Sequence, residues 1–332
     1  MPVEATESIL SMPDKQAPAA NQARGILFCP TASNADLLQE ALEAARGDRP
    51  LWIWPDVPSP EKVACLVAFR PPPGVFEGLA ALRLVHGVGA GVNALRDAPG
   101  RPAGVPLCRV VAEELDQGMA QHIIHAILRE TRDHRLYDEQ QRARIWKRLT
   151  QRHACDITVG IMGLGALGLA TARPLRQLGY NLVGWSRSRK SAEGIESFAG
   201  PAEMGTFLSR SDFLVVLLPI TAETHGILDA TALSKLPRGA VVVAVGRGGQ
   251  VDEAALLAAL DSGHLSHAHL DVFETEPLPA DSALWAHPGV TLTPHIAASP
   301  HPLAVARLVM ENLSRIERGE PPLHAVDEAR GY

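Results

Sequence analysis

The sequence predicts an α/β protein of two domains, each built on a parallel sheet, the second of them doubly wound. Three observations carry that expectation. From residue 25 onward, short apolar runs alternate with amphipathic helical stretches, the pattern of strands joined by helical crossovers. The strand runs of the second half are β-branched or apolar almost throughout, as strands covered on both faces are. A chain of 332 residues also exceeds what one hydrophobic core ordinarily serves.

Composition narrows the functional classes. Hydrophobic residues make up 46% and charged residues 20% of the chain, the balance of a soluble globular protein. A net charge of −6 provides no basic footprint for nucleic acid or an acidic membrane surface. No apolar run reaches the ~18 residues of a membrane helix. Residues 1–23 carry acidic side chains early and lack an apolar core segment; they read as a flexible extension, not a secretory leader. Cys29, Cys65, Cys108 and Cys155 are scattered with no CxxC pair, as reduced thiols of a cytoplasmic protein are.

The elements follow in order. GILFCP reads as a strand and NADLLQEALEAARG as a helix, with Asn34 as N-cap and Gly47 closing it. LWIW, ACLVAF and LRLVHGVG are further strands. Residues 119–149 read as one long helix, apolar on one face at Ile123, Ile124, Ile127 and Leu128 and highly charged beyond. Such a helix suits a bridge between domains or a contact with a second subunit. ITVGIMG, NLVGW, FLVVLLP, AVVVAVG, HLDVF and VTLTPH form the second strand series. The closing helix, LAVARLVMENLSRIER, has the spacing to pack back onto the first domain. The expected division is 24–118 plus 296–332 for one domain and 119–295 for the other.

VGIMGLGALG sets Gly163, Gly165 and Gly168 in a GxGxxG between a strand and a helix that includes Ala166 and Leu167. In that context the motif is a Rossmann-type dinucleotide fingerprint, its helix N-terminus receiving the pyrophosphate. Pro174 inside the helix predicts a kink or a shortened first part. The end of the next strand selects the dinucleotide. An acidic residue there would accept from both ribose hydroxyls of NAD. Ser186, Arg187, Ser188 and Lys190 suit a 2′-phosphate instead, so NADP(H) is expected as the preferred cofactor, with NAD(H) possible.

The run AVVVAVGRGGQVDEAALLAALDSGHLSHAHLDVFETEPLP, followed by LWAHPGVTLTPHIAA, closely resembles the NAD(P)-dependent D-2-hydroxyacid dehydrogenases. It holds their GRGG arginine, DVFxxEP element and TPH histidine in order. WSRSRK, LWAHP and ARGY resemble the glyoxylate/hydroxypyruvate reductase A branch. The resemblance implies a Rossmann-type doubly wound parallel sheet inserted into a flavodoxin-like α/β substrate domain, a small 2-ketoacid substrate and a homodimer. It also implies that Arg247 binds the substrate carboxylate, that His295 is the acid–base residue with Glu276 as its partner, and that Asp271 tunes protonation beside the cofactor. VGAGVNAL matches the loop whose amides hold the carboxylate, implying Ala90 and Gly91. LLPITAETHG matches the lining of the adenosine pocket, implying Leu218, Pro219 and Thr224.

The residues agree with that chemistry on their own terms. Hydride reduction of a ketone leaves an alkoxide that must be protonated as it forms, and histidine is poised for this near neutral pH. A carboxylate beside it fixes the imidazole, and a guanidinium grips an α-ketoacid. Asn93 and Ala244 depart from the Asp and Asn common in the family. Arg70, in AFRPPP, is a candidate substrate-loop residue, whereas Trp52 and Trp54 alternate with Leu51 and Ile53 as core residues would. His267 and His269 share one face of a strand, but no third convergent ligand is visible, and no metal is expected. Two further readings fit the same residues: a dehydrogenase of another 2-hydroxy acid, and a non-catalytic NAD(P)-sensing scaffold.

Overall fold

The computed structural model describes residues 24–31, 34–111 and 113–327; the expected N-terminal extension and the ARGY terminus lie outside them. The first sheet is formed by β1 (Gly25–Cys29), followed by α1 (Ala35–Ala45), β2 (Leu51–Ile53), β3 (Val63–Ala68), β4 (Leu84–Gly87), the short α2 (Asn93–Arg96) and β5 (Leu107–Cys108). Its strands are parallel in the order β2-β1-β3-β4-β5, the flavodoxin-like order. The residues of β1 and β3 are buried throughout, which explains why their sequences show no alternation of polar and apolar residues.

Two helices then cross to the second sheet, α3 (Glu113–Thr131) and α4 (His134–Arg142). Residues 119–149 are therefore not one helix. Asp133 adopts a left-handed conformation, φ 56°, and separates the two helices, while residues 143–150 lie outside any helix. The exposed polar stretch after Arg132 has no buried apolar stripe to hold it in register with α3, since α4 buries no residue.

The second sheet comprises β6 (Thr158–Met162), α5 (Ala166–Gln177), β7 (Asn181–Ser186), β8 (Glu196–Ala199), α6 (Gly200–Ser209), β9 (Phe213–Val216), α7 (Ala230–Leu233), β10 (Ala240–Ala244), α8 (Glu253–Asp261), β11 (Leu265–Leu270) and β12 (Val290–Leu292). All are parallel, in the order β12-β11-β10-β9-β6-β7-β8. This is the doubly wound arrangement, with its switch point between β6 and β9. Two strands differ from expectation. β8, a short edge strand with two polar residues of its four, Glu196 and Ser197, is not among the expected runs, and β11 begins at Leu265 and ends before the DVF triplet. Pro174 lies inside α5, which nevertheless runs to Gln177; the lost backbone donor costs ~3 kcal/mol in an isolated helix and is tolerated here by a packed face including Ala172 and Leu175.

The last helix, α9 (Pro302–Glu317), packs on α1 and places Val305, Ala306, Val309 and Leu313 in one cluster with Ile26, Phe28, Leu38 and Leu42. Burying each Val or Leu side chain among them contributes about 1.5–3 kcal/mol, so α9 is held to the first sheet. α3 serves both: Leu115 joins that cluster, whereas Met119, Ile123, Ala126 and Ile127 pack against Val159, Ile161 and Leu175 beneath the second sheet. Trp52 and Trp54 pack against the Leu27–Leu66 side of the first sheet, as the core reading expects. Among the described residues no helix is long and apolar enough to cross a membrane.

Candidate active site

The carboxyl ends of both sheets face one cleft of about 1740 Å³. Loops after β6, β7, β9, β10, β11 and β12 form one wall, and loops after β3 and β4 form the other, the position where open α/β sheets bind ligands.

His295 stands just beyond β12 with φ 56°, a conformation that strains an L-residue by about 1–3 kcal/mol. The strain is held by Asp271. Its backbone carbonyl accepts from the His295 amide at 2.9 Å. Its carboxylate accepts from Thr293 Oγ1 at 2.6 Å and from the amides of Ile296 and Ala297 at 2.8 and 2.9 Å. Asp271 is buried, 1% exposed. Its carboxylate is thus engaged by the histidine loop, while the residue, expected to tune protonation beside the cofactor, also lines the cleft.

The imidazole is fixed on two sides. Nδ1 lies 2.9 Å from Glu276 Oε2, and the ring meets Phe69 edge-on with centroids 5.9 Å apart. Glu276 Oε1 accepts from the Phe273 amide at 3.1 Å. Arg70, from the opposite wall, donates to both Glu276 Oε2 and the Glu276 carbonyl at 2.9 and 3.0 Å. Arg70, expected as a substrate-loop residue, lines the cleft and engages its guanidinium with Glu276 across it.

Arg247 follows β10, its amide donating to Gln250 Oε1 at 3.0 Å. The guanidinium crosses to the other wall and lies against Gly91: a Cβ there would stand 1.3 Å from Nη2. Only glycine leaves room for that approach. Burial pulls the Arg247 guanidinium below its ordinary value, with the Glu276 carboxylate acting in the opposite sense. Ala90 and Gly91 line the cleft beside it. Asn93 opens α2 and lines the same wall. Ala244 is buried in β10 between β9 and β11.

The second half of the cleft fits a dinucleotide. Gly163 has φ 117°, and a Cβ would meet the Leu217 carbonyl at 2.8 Å. A Cβ on Gly168 would stand 2.0 Å from the Gly163 carbonyl, whereas Gly165 opens onto free space. The first two glycines close the turn and pack the helix; the third leaves its backbone approachable at the N-terminus of α5, where amides favour phosphate. Ala166, Leu167, Ser186, Arg187, Ser188, Lys190, Leu218, Pro219 and Thr224 all line this half. Ser186 Oγ donates to the Ser188 carbonyl at 2.7 Å, shaping the basic loop. Arg189 turns away to Glu203.

The D-isomer-specific 2-hydroxyacid dehydrogenase NAD-binding-domain model matches residues 124–297. The glyoxylate/hydroxypyruvate reductase A of Klebsiella pneumoniae (strain 342) is 45% identical over 228 residues, 69% of this chain and 73% of that protein. The chain belongs to the D-isomer-specific 2-hydroxyacid dehydrogenase family. Solved relatives agree over nearly the whole chain. The enzyme from Xanthobacter autotrophicus Py2, in complex with NADPH and MES, has a TM-score of 0.86 at 41% identity, covering 93% of this chain and 100% of that one. The NADPH-dependent glyoxylate/hydroxypyruvate reductase of Sinorhizobium meliloti, in complex with NADP and sulfate, has a TM-score of 0.86 at 37% identity with the same coverage.

Gln250 of this dehydrogenase escaped the motif reading. It is 1% exposed, and while Oε1 holds Arg247, Nε2 donates to the carbonyls of Leu218 and Pro219 at 2.7 and 3.1 Å. It ties the arginine loop to the dinucleotide loop. The signal was present as the residue after GRGG. Glu276 gives a testable pH dependence. Burial pushes its carboxyl up, but the hydrogen bond from His295, the His295 charge, the Phe273 amide and Arg70 outweigh it and leave the group below its ordinary 4.5. A carboxyl depressed on folding stabilises the native state above the ordinary carboxylate range, and that contribution is lost as pH falls through the folded value. The melting temperature of a Glu276→Gln variant should therefore lie below wild type near neutrality and converge on it in acid. A constant offset across the range would contradict the assignment.

Proposed function

We propose that this dehydrogenase reduces small 2-ketoacids, glyoxylate and hydroxypyruvate first, with NADPH as cofactor. The observation that carries this reading is the convergence of Arg247, His295 and Glu276 at one end of a cleft whose other end is the glycine cradle with its basic loop. The named activities of the relatives support it.

NADPH, when bound, supplies the hydride. The chain supplies the rest. Arg247, beside Ala90 and Gly91, grips the ketoacid carboxylate and stabilises negative charge as it develops on the ketone oxygen. With Nδ1 engaged by Glu276, Nε2 is the His295 nitrogen left to deliver a proton to that oxygen. Glu276 holds the ring through Nδ1 and keeps Nε2 turned toward the substrate. Arg70 ties Glu276 to the facing wall and sets its orientation.

Arg187 and Lys190, with Ser186 and Ser188, form the site for the 2′-phosphate. Each charge-assisted hydrogen bond contributes about 1.5–3 kcal/mol. The Arg187→Ala/Lys190→Ala variant should raise KM for NADPH at least about tenfold and leave KM for NADH nearly unchanged. Equal losses with both cofactors would remove the assignment. The substrate half is tested by steady-state rates on glyoxylate, hydroxypyruvate and pyruvate: the first two should lead, and turnover of none of them would defeat the reading.

We divide the chain into a substrate domain of 24–118 plus 296–332 and a dinucleotide domain of 119–295. The packing of α9 on α1 supports this division. A cytoplasmic homodimer is proposed, with Ile145 and the fully exposed Trp146 at the subunit contact; sedimentation equilibrium measures it.

A further inference from the structure

Away from the cleft, three donors meet between α3 and the second sheet. Glu130 of α3 stands against His267 and His269 of β11, and one ligand atom from each lies within 4.8 Å of the other two. His269 Nε2 is 3.2 Å and His267 Nε2 is 4.0 Å from Glu130 Oε1. None of the three lines the substrate and dinucleotide cleft. The missing third ligand that argued against a metal in the sequence is thus supplied from 137 and more residues away (267 − 130 = 137).

We propose that Glu130, His267 and His269 form a binding site for a borderline divalent transition ion, Zn²⁺ foremost. The donor set, two imidazoles and a carboxylate, suits that class. Tetrahedral coordination at about 2.0–2.1 Å holds donors about 3.3 Å apart; of the three separations the Glu130–His269 one already matches at 3.2 Å, while the Glu130–His267 one, 4.0 Å, and that between the imidazoles, within 4.8 Å, must close onto the ion. Both histidines are buried, 1% and 5% exposed; His267 Nε2, the nitrogen facing Glu130, also lies 2.9 Å from Thr291 Oγ1, a contact the ion would replace, and among the described residues its Nδ1 has no hydrogen-bond partner. Glu130 has an outer partner of the kind that orients ligand carboxylates: Arg135 Nε lies 3.3 Å from Oε2, the oxygen the ion does not take. Arg129 is paired to Asp138 at 2.9 Å. The two nearby guanidiniums weaken the hold on a cation. An ion there rivets α3 to β11 just before the break at Asp133, and thereby fixes the base of the arm that carries Trp146.

The test is titration of the chelator-treated full-length protein with Co²⁺, followed in visible absorption, and then with Zn²⁺. The expected result is equimolar Co²⁺ binding with the intense spectrum of a tetrahedral site, displacement by Zn²⁺, and a Zn²⁺-dependent rise in melting temperature. Both responses are lost in His269→Gln and in Glu130→Gln, the second a near-isosteric change that keeps a hydrogen-bonding group should the first destabilise the fold. Absence of saturable binding overturns the proposal, as does binding of unchanged stoichiometry and spectrum in both variants. NADPH binding in the same samples reports on the cleft separately, so this outcome does not depend on the ketoacid reading.

Discussion

A His295→Gln enzyme should bind NADPH with wild-type affinity and lose a factor of about 10²–10⁴ in kcat on glyoxylate, the range of general acid catalysis. The two halves of that result arise from different parts of the cleft. In the proposed site, cofactor affinity would rest on the Gly163 turn, the start of α5 and the basic loop after β7, which lie apart from the contacts that hold the imidazole. The rate rests on a proton available at the instant the alkoxide forms. Glutamine can still hydrogen-bond Glu276 but has no proton to transfer near neutral pH. The left-handed backbone at residue 295 is held by Asp271 through four hydrogen bonds, two to amides after the histidine, one to its own amide and one to the Thr293 hydroxyl, so the loop should keep its shape in the variant. A cofactor fluorescence titration beside steady-state kinetics separates the two halves. Retention of most of the rate would remove His295 from the proton transfer.

The second large effect concerns Arg247. Arg247→Lys keeps the charge but replaces a planar fork with a point charge on a flexible stem, and the two are not equivalent where a carboxylate is gripped at two oxygens. We expect kcat/KM for ketoacids to fall by about 10²–10³, the cost of removing one donor to a developing oxyanion. A distinct route should give the same phenotype without touching the arginine. A Cβ at residue 91 would overlap the guanidinium, so Gly91→Ala must displace Arg247 or open the cleft. It should raise KM for glyoxylate strongly while leaving Kd for NADPH within a factor of about two, because the dinucleotide loops lie on the other side of Arg247. If Gly91→Ala were kinetically silent, the close approach of Arg247 to the substrate loop would not be part of the working geometry.

The parts of this molecule that were legible in sequence share a physical property: they are local. The GxGxxG glycines announce a turn, a phosphate approach and a helix contact within six residues, and the structure shows the steric reason for two of them. Unbroken apolar runs announced strands buried on both faces. The features that were not legible depend on partners far apart in the chain. Arg70 and Glu276 are 206 residues apart, and Glu130 and His269 are 139 apart; no local pattern signals either pair. The motif marked Asp271 as a site residue, and it does line the cleft, but its hold on the amides of 296 and 297 depends on residues 25 and 26 positions away. The break at Asp133 was hidden for the opposite reason. Every residue from 134 to 142 is a tolerable helix former, and what is lacking is a surface for the continued helix to pack on.

The most direct measurement of the central claim is product analysis after reduction of hydroxypyruvate with NADPH carrying deuterium at the hydride position of its nicotinamide. The convergence of Arg247, His295 and the glycine cradle on one cleft predicts glycerate with deuterium on the former ketone carbon and NADPH consumed in equal amount. Glycerate without deuterium, or NADPH left unoxidised while the ketoacid is held in the cleft, would contradict it.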